Sequence, residues 1–485
     1  MGDRASAGSL AASDPAFSAA TTPAGPRAVL GLHEAIAIIV GIVIGAGIFK
    51  APALVAGMTG SAPWMFGAWL LGGLISLIGA LCYAELATAY PHAGGDYHFL
   101  RRAFGRPLSL VFAWARFSVI TTGSIALLGF VFGDYLASVL PLTALTPGWN
   151  SAVYAAAAVA VLTWANLRGI KTSSGAQVLL TAVEVGGLLL IVIAGLFLIG
   201  DGSLTPRAPE AASAGAPSLS GFGLAMVFVL LTYGGWNEAA YISAELRDQR
   251  RNMVRALVLS ILIITLLYLL VAWAYWQGLG IAGMAASNAI AADLLTRAFG
   301  PAGGTVISIL VAIAALTSMN ATMIVGARTN YACGQDWPLL ARLGEWDAER
   351  NTPAVALRVQ GIAALLLIAL GGFVGGGFRA MVEFTSPVFW LFFLLSGIAL
   401  FVLRRREPHT PRPFSVPLYP LLPAIFCAVC AYMLWSSLSY VYSQSLGGLN
   451  AAWIGVAVLA IGALLVVFMR PPLPSAQPAA SAQQS

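Results

Sequence analysis

Long apolar runs separated by short polar segments dominate this chain. A run of about 20 apolar residues is long enough to cross the hydrocarbon core of a bilayer as an α-helix. We count twelve such runs, and the pattern therefore predicts an all-α integral membrane protein with twelve transmembrane helices. The third run is long enough that its helix is expected to be tilted. The predicted helices lie near residues 33–56, 62–88, 107–139, 150–167, 175–199, 220–244, 254–279, 302–330, 354–375, 380–403, 416–441 and 451–469.

Positive charges are concentrated in every second loop between these runs. Lys- and Arg-rich loops stay in the cytoplasm, so the pattern predicts a cell (inner or plasma) membrane protein with both termini cytoplasmic. An even number of helices agrees with this. The intervening loops, which we call the Arg-poor face, hold only Arg207, Arg297 and Arg379. The other loops, the Arg-rich face, contain Arg101, Arg102, Arg106, Arg168, Lys171, Arg247, Arg250, Arg251, Arg255, Arg328, Arg342, Arg350, Arg358, Arg404, Arg405, Arg406 and Arg412.

Composition supports the same class. Hydrophobic residues make up 59% of the chain and charged residues 9%, whereas soluble domains carry about 25% charged residues. The net charge of +6 is therefore interpreted as an orientation signal rather than as a nucleic-acid-binding surface. No His or Cys spacing predicts a metal site, and no nucleophile–base pair indicates an enzyme, so we expect neither metal nor cofactor. The polar ends, 1–28 and 471–485, are expected to be disordered cytoplasmic tails.

Two of the predicted helices contain glycines at their centres. The first carries Gly41, Gly45 and Gly47, and the sixth carries Gly234 and Gly235. Close helix packing is one explanation for glycine in a membrane helix. However, interrupted helices at matching positions of two halves are typical of transporters built from inverted repeats. This organisation predicts one transmembrane domain over 29–470, with repeats over 33–200 and 220–403 and two extra helices over 416–469.

An unwound turn in a membrane helix leaves main-chain polar groups without partners, at a cost of several kcal/mol each in hydrocarbon. The N–H groups of Ala46, Gly47 and Ile48 would suit a carboxylate, as helix N-termini suit anions. The carbonyl groups near Leu231 and Thr232 would suit an ammonium group. A zwitterion satisfies both sets, so the pattern favours an amino acid over a sugar or an inorganic ion.

Four stretches identify a family resemblance: GIVIGAGIFKAPALV at 41–55, CYAELATAYPHAGGDYHFLRRAFG at 82–105, TYGGWNEAAYISAELRDQRRN at 232–252 and TSMNATMIVGAR at 317–328. They resemble the amino acid–polyamine–organocation superfamily, and most of all its L-type amino acid transporter branch. The resemblance implies a leucine-transporter-like fold of five plus five helices in inverted repeat, followed by two more. It also implies a carboxylate-binding stretch at Gly45–Ile48 and an amine-binding stretch at Leu231–Gly235. The candidate binding residues are Gly45, Ala46, Gly47, Ile48, Leu231, Thr232, Tyr233, Gly234, Gly235, Trp236 and Asn237.

The chain departs from the family pattern at two positions. Leu231 stands where relatives often place an aromatic residue over the substrate, so either the lid is aliphatic or Tyr233 or Trp236 replaces it. Glu184 stands where relatives commonly have Lys. A charge at this depth is expected to face a cavity or a partner.

Three roles stay open for Glu184. It could carry a coupling proton, it could balance a cation held with the Thr317 and Ser318 hydroxyl groups, or it could be structural, with Arg116 as a candidate partner. In the last case the chain would be an exchanger without ion coupling.

Other intramembrane charges give weaker predictions. Lys50, near the end of the first run, is expected to extend to water. Glu85 and Glu238 would line the aqueous path or pair with local partners.

The substrate side chain is expected to meet Thr121, Thr122, Leu231 and Asn237. Small or large neutral amino acids are the first choice, followed by cationic amino acids or polyamines. The heavy-chain-linked animal members of the family use a Cys after the third helix. Residues 139–150 contain none, so no covalent partner is expected, and the protein would be a monomer or homo-oligomer. A channel and a non-transporting amino acid sensor are the remaining alternatives.

Overall fold

The structure of the protein is a computed structural model. It describes residues 31–91, 95–142, 145, 147–169, 174–200, 216–237, 246–347, 349–350, 352–443 and 451–468. The two predicted tails and Glu238 lie outside these residues, and so does most of the segment that follows the break in the sixth predicted helix.

The described residues form helices joined by short connections, with an isolated β-bridge between Asp347 and Thr352. Two short 3₁₀ segments and one π-helical segment lie among the α-helices, at Ala46–Phe49, Pro338–Gly344 and Arg116–Thr121. The α-helices are α1 (Leu32–Val43), α2 (Ala51–Thr59), α3 (Ala62–Ala89), α4 (Gly95–Phe104), α5 (Arg106–Ala115), α6 (Thr122–Val139), α7 (Pro147–Leu167), α8 (Ser174–Gly200), α9 (Leu219–Thr232), α10 (Gln249–Ala286), α11 (Ile290–Asp336), α12 (Ala354–Val374), α13 (Gly377–Arg406), α14 (Leu421–Ser443) and α15 (Ala451–Phe468).

Eight helices in the described ranges are long and apolar enough to cross a membrane. They confirm the prediction of a multi-pass, all-helical membrane protein. Four shorter apolar helices coincide with the first, fifth, sixth and twelfth predicted spans, so the count of twelve stays a prediction. The eight are Ala62–Ala89, Arg106–Val139, Trp149–Leu167, Arg251–Ala286, Ile290–Gln335, Ala354–Val374, Gly377–Arg406 and Leu421–Ser439.

Large apolar side chains on the outside of the helix bundle, such as Leu70, Leu266 and Leu366, are exposed. This is the arrangement expected when lipid is the solvent, because lipid tails are as apolar as the side chains themselves. Inside the bundle, small residues bring helices together. A Cβ on Gly73 of α3 would collide with the Thr265 side chain of α10. Close helix packing is thus the role of this glycine.

Several membrane helices are bent at identifiable residues. Gly280 interrupts α10 with a φ of 65°, and Gly300, with a φ of 74°, interrupts α11 just before Pro301. Glycine adopts positive φ at no steric cost, and proline removes a helical hydrogen bond. The third predicted span is continuous from Arg106 to Val139 but contains the π-helical segment, and such segments are frequent at functional sites.

Glu85 of α3 is buried at the Arg-rich face and binds distant parts of the chain. Arg404 of α13 donates two hydrogen bonds to its carboxylate, of 2.6 and 2.5 Å, and the guanidinium of Arg412 lies 3.6 Å away. The backbone N–H of Val416, ahead of α14, donates a third, of 2.7 Å. Glu85 therefore joins three segments, and its partners are 300 or more positions away in sequence rather than local.

Lys50 does not extend to water, so that prediction was wrong. Its side chain is buried, and its Nζ lies 2.5 Å from Asp134 Oδ2 of α6. A buried cation is tolerated when an anion and further hydrogen-bond acceptors lie beside it.

Candidate functional site

The first interruption lies between α1 and α2. Helix α1 ends at Val43, Gly45 is extended (φ −100°, ψ −176°), and the 3₁₀ segment Ala46–Phe49 follows. The first N–H groups of a helical segment have no acceptor within that segment. The break therefore presents main-chain donors at Ala46 and Gly47, in the middle of the bundle.

The second interruption follows α9. This helix ends at Thr232, and the chain turns through Tyr233, Gly234 and Gly235. Gly235 has a φ of 109°, a conformation that side chains with a Cβ rarely adopt. The glycine pair therefore ends the helix, and the Leu231 carbonyl accepts a turn hydrogen bond from the Gly234 N–H, at 3.0 Å, in place of a helical one.

The two interruptions face each other. A Cβ placed on Gly47 would lie 3.3 Å from Thr232 Oγ1 and 3.5 Å from Thr232 Cα. A Cβ at position 47 would thus be in tight contact with Thr232, so glycine suits this position and a large side chain would push the two interruptions apart.

Tyr268 of α10 connects the two interruptions, and sequence reasoning missed it. Its hydroxyl lies 2.9 Å from the Val43 carbonyl and 3.1 Å from the Thr232 carbonyl, so its single proton is shared between these two acceptors. The ring is fully buried and packs against Trp69 and Tyr233. The signal in the sequence was a tyrosine in the apolar stretch ILIITLLYLLVAW, but nothing there indicates which carbonyl groups its hydroxyl reaches.

A cavity of about 510 Å³ lies between the interruptions. Eight of the eleven candidate binding residues line it, together with all three residues proposed for ion coupling. The lining candidates are Gly45, Ala46, Gly47, Leu231, Thr232, Gly234, Gly235, Asn237, Glu184, Thr317 and Ser318.

Three of the candidate binding residues lie outside the lining. Ile48 is fully buried in the core. The Tyr233 hydroxyl donates to the Trp69 carbonyl at 3.1 Å, and Trp236 packs edge-on against Tyr83. Of the three residues considered as a lid, Leu231 alone lines the cavity, so the aliphatic alternative fits the geometry.

The rest of the lining is more aromatic than the sequence pattern suggested. Residues from α9 and α13 form an apolar wall, which consists of Phe228, Phe378, Phe389, Phe392 and Phe393. The sequence could not assign this wall, because any phenylalanine in an apolar span is equally consistent with a lipid-facing position.

The π-helical segment contributes a polar side to the cavity. Arg116 and Thr121 line it, followed by Ser124 of α6. Thr122, which we expected to meet the substrate side chain, is fully buried and donates its hydroxyl to the Ser118 carbonyl at 2.8 Å. Tyr83 and Asp96 extend the lining toward the Arg-rich face.

Comparison with known proteins decides the family. The model of the amino acid permease family matches residues 30–465. The chain belongs to this family. It is also 30% identical over 405 residues to the mouse "b(0,+)-type amino acid transporter 1", covering 84% of this chain and 81% of the relative. The mouse "Large neutral amino acids transporter small subunit 2" is 29% identical over 411 residues, covering 84% of this chain and 76% of the relative.

These matches confirm the resemblance to the amino acid–polyamine–organocation superfamily and its L-type branch. They also confirm that the protein is an amino acid permease rather than an enzyme. The family and the long apolar helices both indicate a multi-pass membrane protein.

In this permease Glu184 of α8 is buried and lines the cavity. The Ser318 hydroxyl of α11 lies 3.4 Å from Glu184 Oε1, at the long end of hydrogen-bonding distance. Thr317 instead donates to the Ile313 carbonyl of its own helix at 2.9 Å. The Glu184 carboxyl group therefore lies in the cavity wall beside the Ser318 hydroxyl group. Binding and release of a substrate in the cavity would change its surroundings.

Proposed function

We propose that this permease moves amino acids by alternating access, with the substrate held between the interrupted first and sixth helices. The fold proposed for this is twelve helices, as two inverted repeats of five and two extra helices. The observation that carries the proposal is that residues of both interruptions line one cavity. Paired breaks of this kind are the usual site of substrate binding in inverted-repeat transporters.

The two ends of the cavity suit the two charges of an amino acid. The N–H groups at Ala46 and Gly47 begin a helical segment and would bind the carboxylate. The carbonyl groups at Leu231 and Thr232 end a helix and would bind the ammonium group. The Thr232 carbonyl accepts from Tyr268 and keeps a second lone pair for the ligand. The substrate thereby supplies hydrogen bonds to these main-chain N–H and carbonyl groups, in place of water molecules.

A neutral side chain suits the remainder of the cavity. Leu231 and the five phenylalanines of the apolar wall would bury it, and removal of apolar surface from water yields about 25 cal/mol per Å². The name of one relative, a transporter of large neutral amino acids, agrees with this choice. Thr121 and Asn237, which also line the cavity, would select among substrates by hydrogen bonding.

The arginine pattern supports an orientation with the Arg-rich face in the cytoplasm of a cell whose inner or plasma membrane contains the permease. One relative is named a small subunit, which describes that relative within an assembly. For this chain we propose a monomer or homo-oligomer without a covalent partner, because residues 139–150 contain no cysteine.

A reconstituted uptake screen tests the proposal. Purified protein in proteoliposomes would be offered each labelled amino acid, with and without a proton gradient. We expect saturable uptake of neutral amino acids and counterflow of the same substrates. Binding without counterflow would identify a sensor, and uptake that never saturates would identify a channel; either result would refute the proposal.

The Tyr268 hydroxyl should matter for transport. In Tyr268→Phe two buried carbonyl groups at the interruptions lose their donor, a loss of about 1–3 kcal/mol. We expect kcat/KM for uptake to fall by about 5- to 150-fold. Tyr275→Phe is the matched control, because Tyr275 is fully buried on the same helix and its hydroxyl has no hydrogen-bond partner among the described residues. Equal effects of the two substitutions would contradict the proposed role.

Glu184 is the proposed proton carrier. We expect an imposed proton gradient to accelerate uptake by the unchanged protein and not by Glu184→Gln, because an amide neither binds nor releases a proton at neutral pH. Counterflow, which needs no net proton movement, should persist in both. Glu383→Gln is the control, since Glu383 is a buried carboxyl group of α13 paired with Arg379 and outside the cavity lining. Uptake by the unchanged protein that ignores both proton and sodium gradients would indicate an exchanger.

A further inference from the structure

A second cluster of polar contacts lies at the Arg-poor face, beyond the cavity. Lys50 directly precedes α2 as its N-cap residue and follows the first interruption. Its Nζ lies 2.5 Å from Asp134 Oδ2 of α6 and donates to the Asn288 carbonyl, between α10 and α11, at 2.5 Å. One lysine therefore joins three segments that are separate in the sequence.

Neighbouring groups reinforce the same junction. Ser151 at the start of α7 donates a short hydrogen bond to Asp134. Tyr135 donates to the Phe49 carbonyl at 2.5 Å, and the Ala291 N–H donates to the Tyr135 hydroxyl at 3.3 Å. The contacts of Tyr135 thus join the same three segments as the ion pair.

The position of Lys50 is unfavourable for helix stability. The N-terminus of a helix carries a partial positive charge, so a cation there is repelled and an anion attracted. Lys50 is nevertheless buried, with its side chain 10% exposed and that of Asp134 18% exposed. Asp134 and the Asn288 carbonyl compensate the charge of Lys50. The lysine therefore stabilises the contact between the segments rather than the helix that follows it.

The cluster lies on the side of the cavity away from Asp96 and Arg116. None of Lys50, Asp134 and Asn288 lines the cavity, whereas Gly47, three residues before Lys50, does. Three residues of a 3₁₀ segment rise about 6 Å. Gly47, whose N–H would bind the substrate carboxylate, and Lys50, which contacts α6, therefore belong to the same short segment.

We propose that Lys50, Asp134 and the Asn288 carbonyl form a latch that holds the Arg-poor face closed in this conformation. The inference rests on the alternating access proposed above. Opening of that face moves α2 away from α6, so the ion pair breaks before the cavity becomes accessible there. Loss of either charge removes the attraction and leaves its partner buried and unpaired, which favours the open arrangement.

Cysteine accessibility tests the latch without any need for transport. The four native cysteines are replaced by alanine, and Leu128→Cys, in the cavity lining, serves as reporter. A membrane-impermeant thiol reagent is applied from the Arg-poor face, whose exposure is verified with Ser61→Cys in the loop between α2 and α3. We expect Lys50→Met and Asp134→Asn each to raise the labelling rate by about tenfold or more.

The exchanged pair Lys50→Asp with Asp134→Lys should return the labelling rate part of the way toward that of the unchanged protein, because it restores the ion pair but not the hydrogen bond to the Asn288 carbonyl. Glu383→Gln is the control, because it breaks an ion pair of 2.8 Å that lies within α13 alone and joins no two segments. Unaltered labelling in Lys50→Met and Asp134→Asn, with Ser61→Cys still reactive, would overturn the latch. A failed amino acid screen would refute the proposed function and leave the labelling result intact.

Discussion

Gly47→Leu is expected to abolish uptake while insertion into the membrane stays normal. A Cβ at this position already lies within 3.3–3.5 Å of Thr232, and leucine adds three further carbons between the two interruptions. The breaks must then separate or the cavity must fill. Displacement of reacting groups by about 1 Å costs about 100-fold in enzymes, and we expect a loss of that order or greater in uptake rate.

Gly67→Leu is the matched control for this experiment. Gly67 lies on the exposed side of α3, and a Cβ there meets nothing within 4 Å. The same added bulk should therefore leave uptake unchanged. Labelled amino acid uptake, normalised to the amount of protein in the proteoliposomes, measures both variants. Comparable uptake by the two would show that the substrate binds elsewhere.

Arg404→Met should produce the largest loss of stability. Glu85 is 2% exposed and accepts two hydrogen bonds from Arg404. Removal of one partner from a buried ion pair costs about 3–5 kcal/mol. We expect a loss toward the lower end of this range, because the guanidinium of Arg412 remains 3.6 Å from Glu85. The free energy of unfolding in mixed detergent micelles is the quantity to measure.

Arg102→Met is the comparison for the buried pair. Arg102 also binds a carboxylate, that of Glu407, at 2.8 Å, but its side chain is 43% exposed. The hydrogen bond from Arg102 lowers the pKa of Glu407, so this pair stays ionised at neutral pH. Exposed pairs contribute about 0–1 kcal/mol, and we expect a loss in that range. Similar losses in the two variants would mean that water reaches Glu85.

Several features of this permease followed from the sequence alone. The apolar runs predicted the membrane helices, because span length is set by bilayer thickness and composition, both of which are local properties. The glycines at 45, 47, 234 and 235 predicted both helix interruptions, since a glycine pair weakens a helix wherever it stands. The four motif stretches identified the superfamily.

Only the tertiary structure decided which distant groups meet. Three features illustrate this: Tyr268, the apolar wall, and Asp134 as the partner of Lys50. All lie in spans that are apolar on every side, so no sequence pattern shows which side of the helix faces the cavity, the core or the lipid. Lys50 illustrates the consequence: a lysine near a helix end is normally free to reach water, and only the approach of α6 provides an anion for it. Partners as far apart in sequence as Glu85 and Val416, 331 positions, are brought together by tertiary packing, which the order of residues along one helix does not specify.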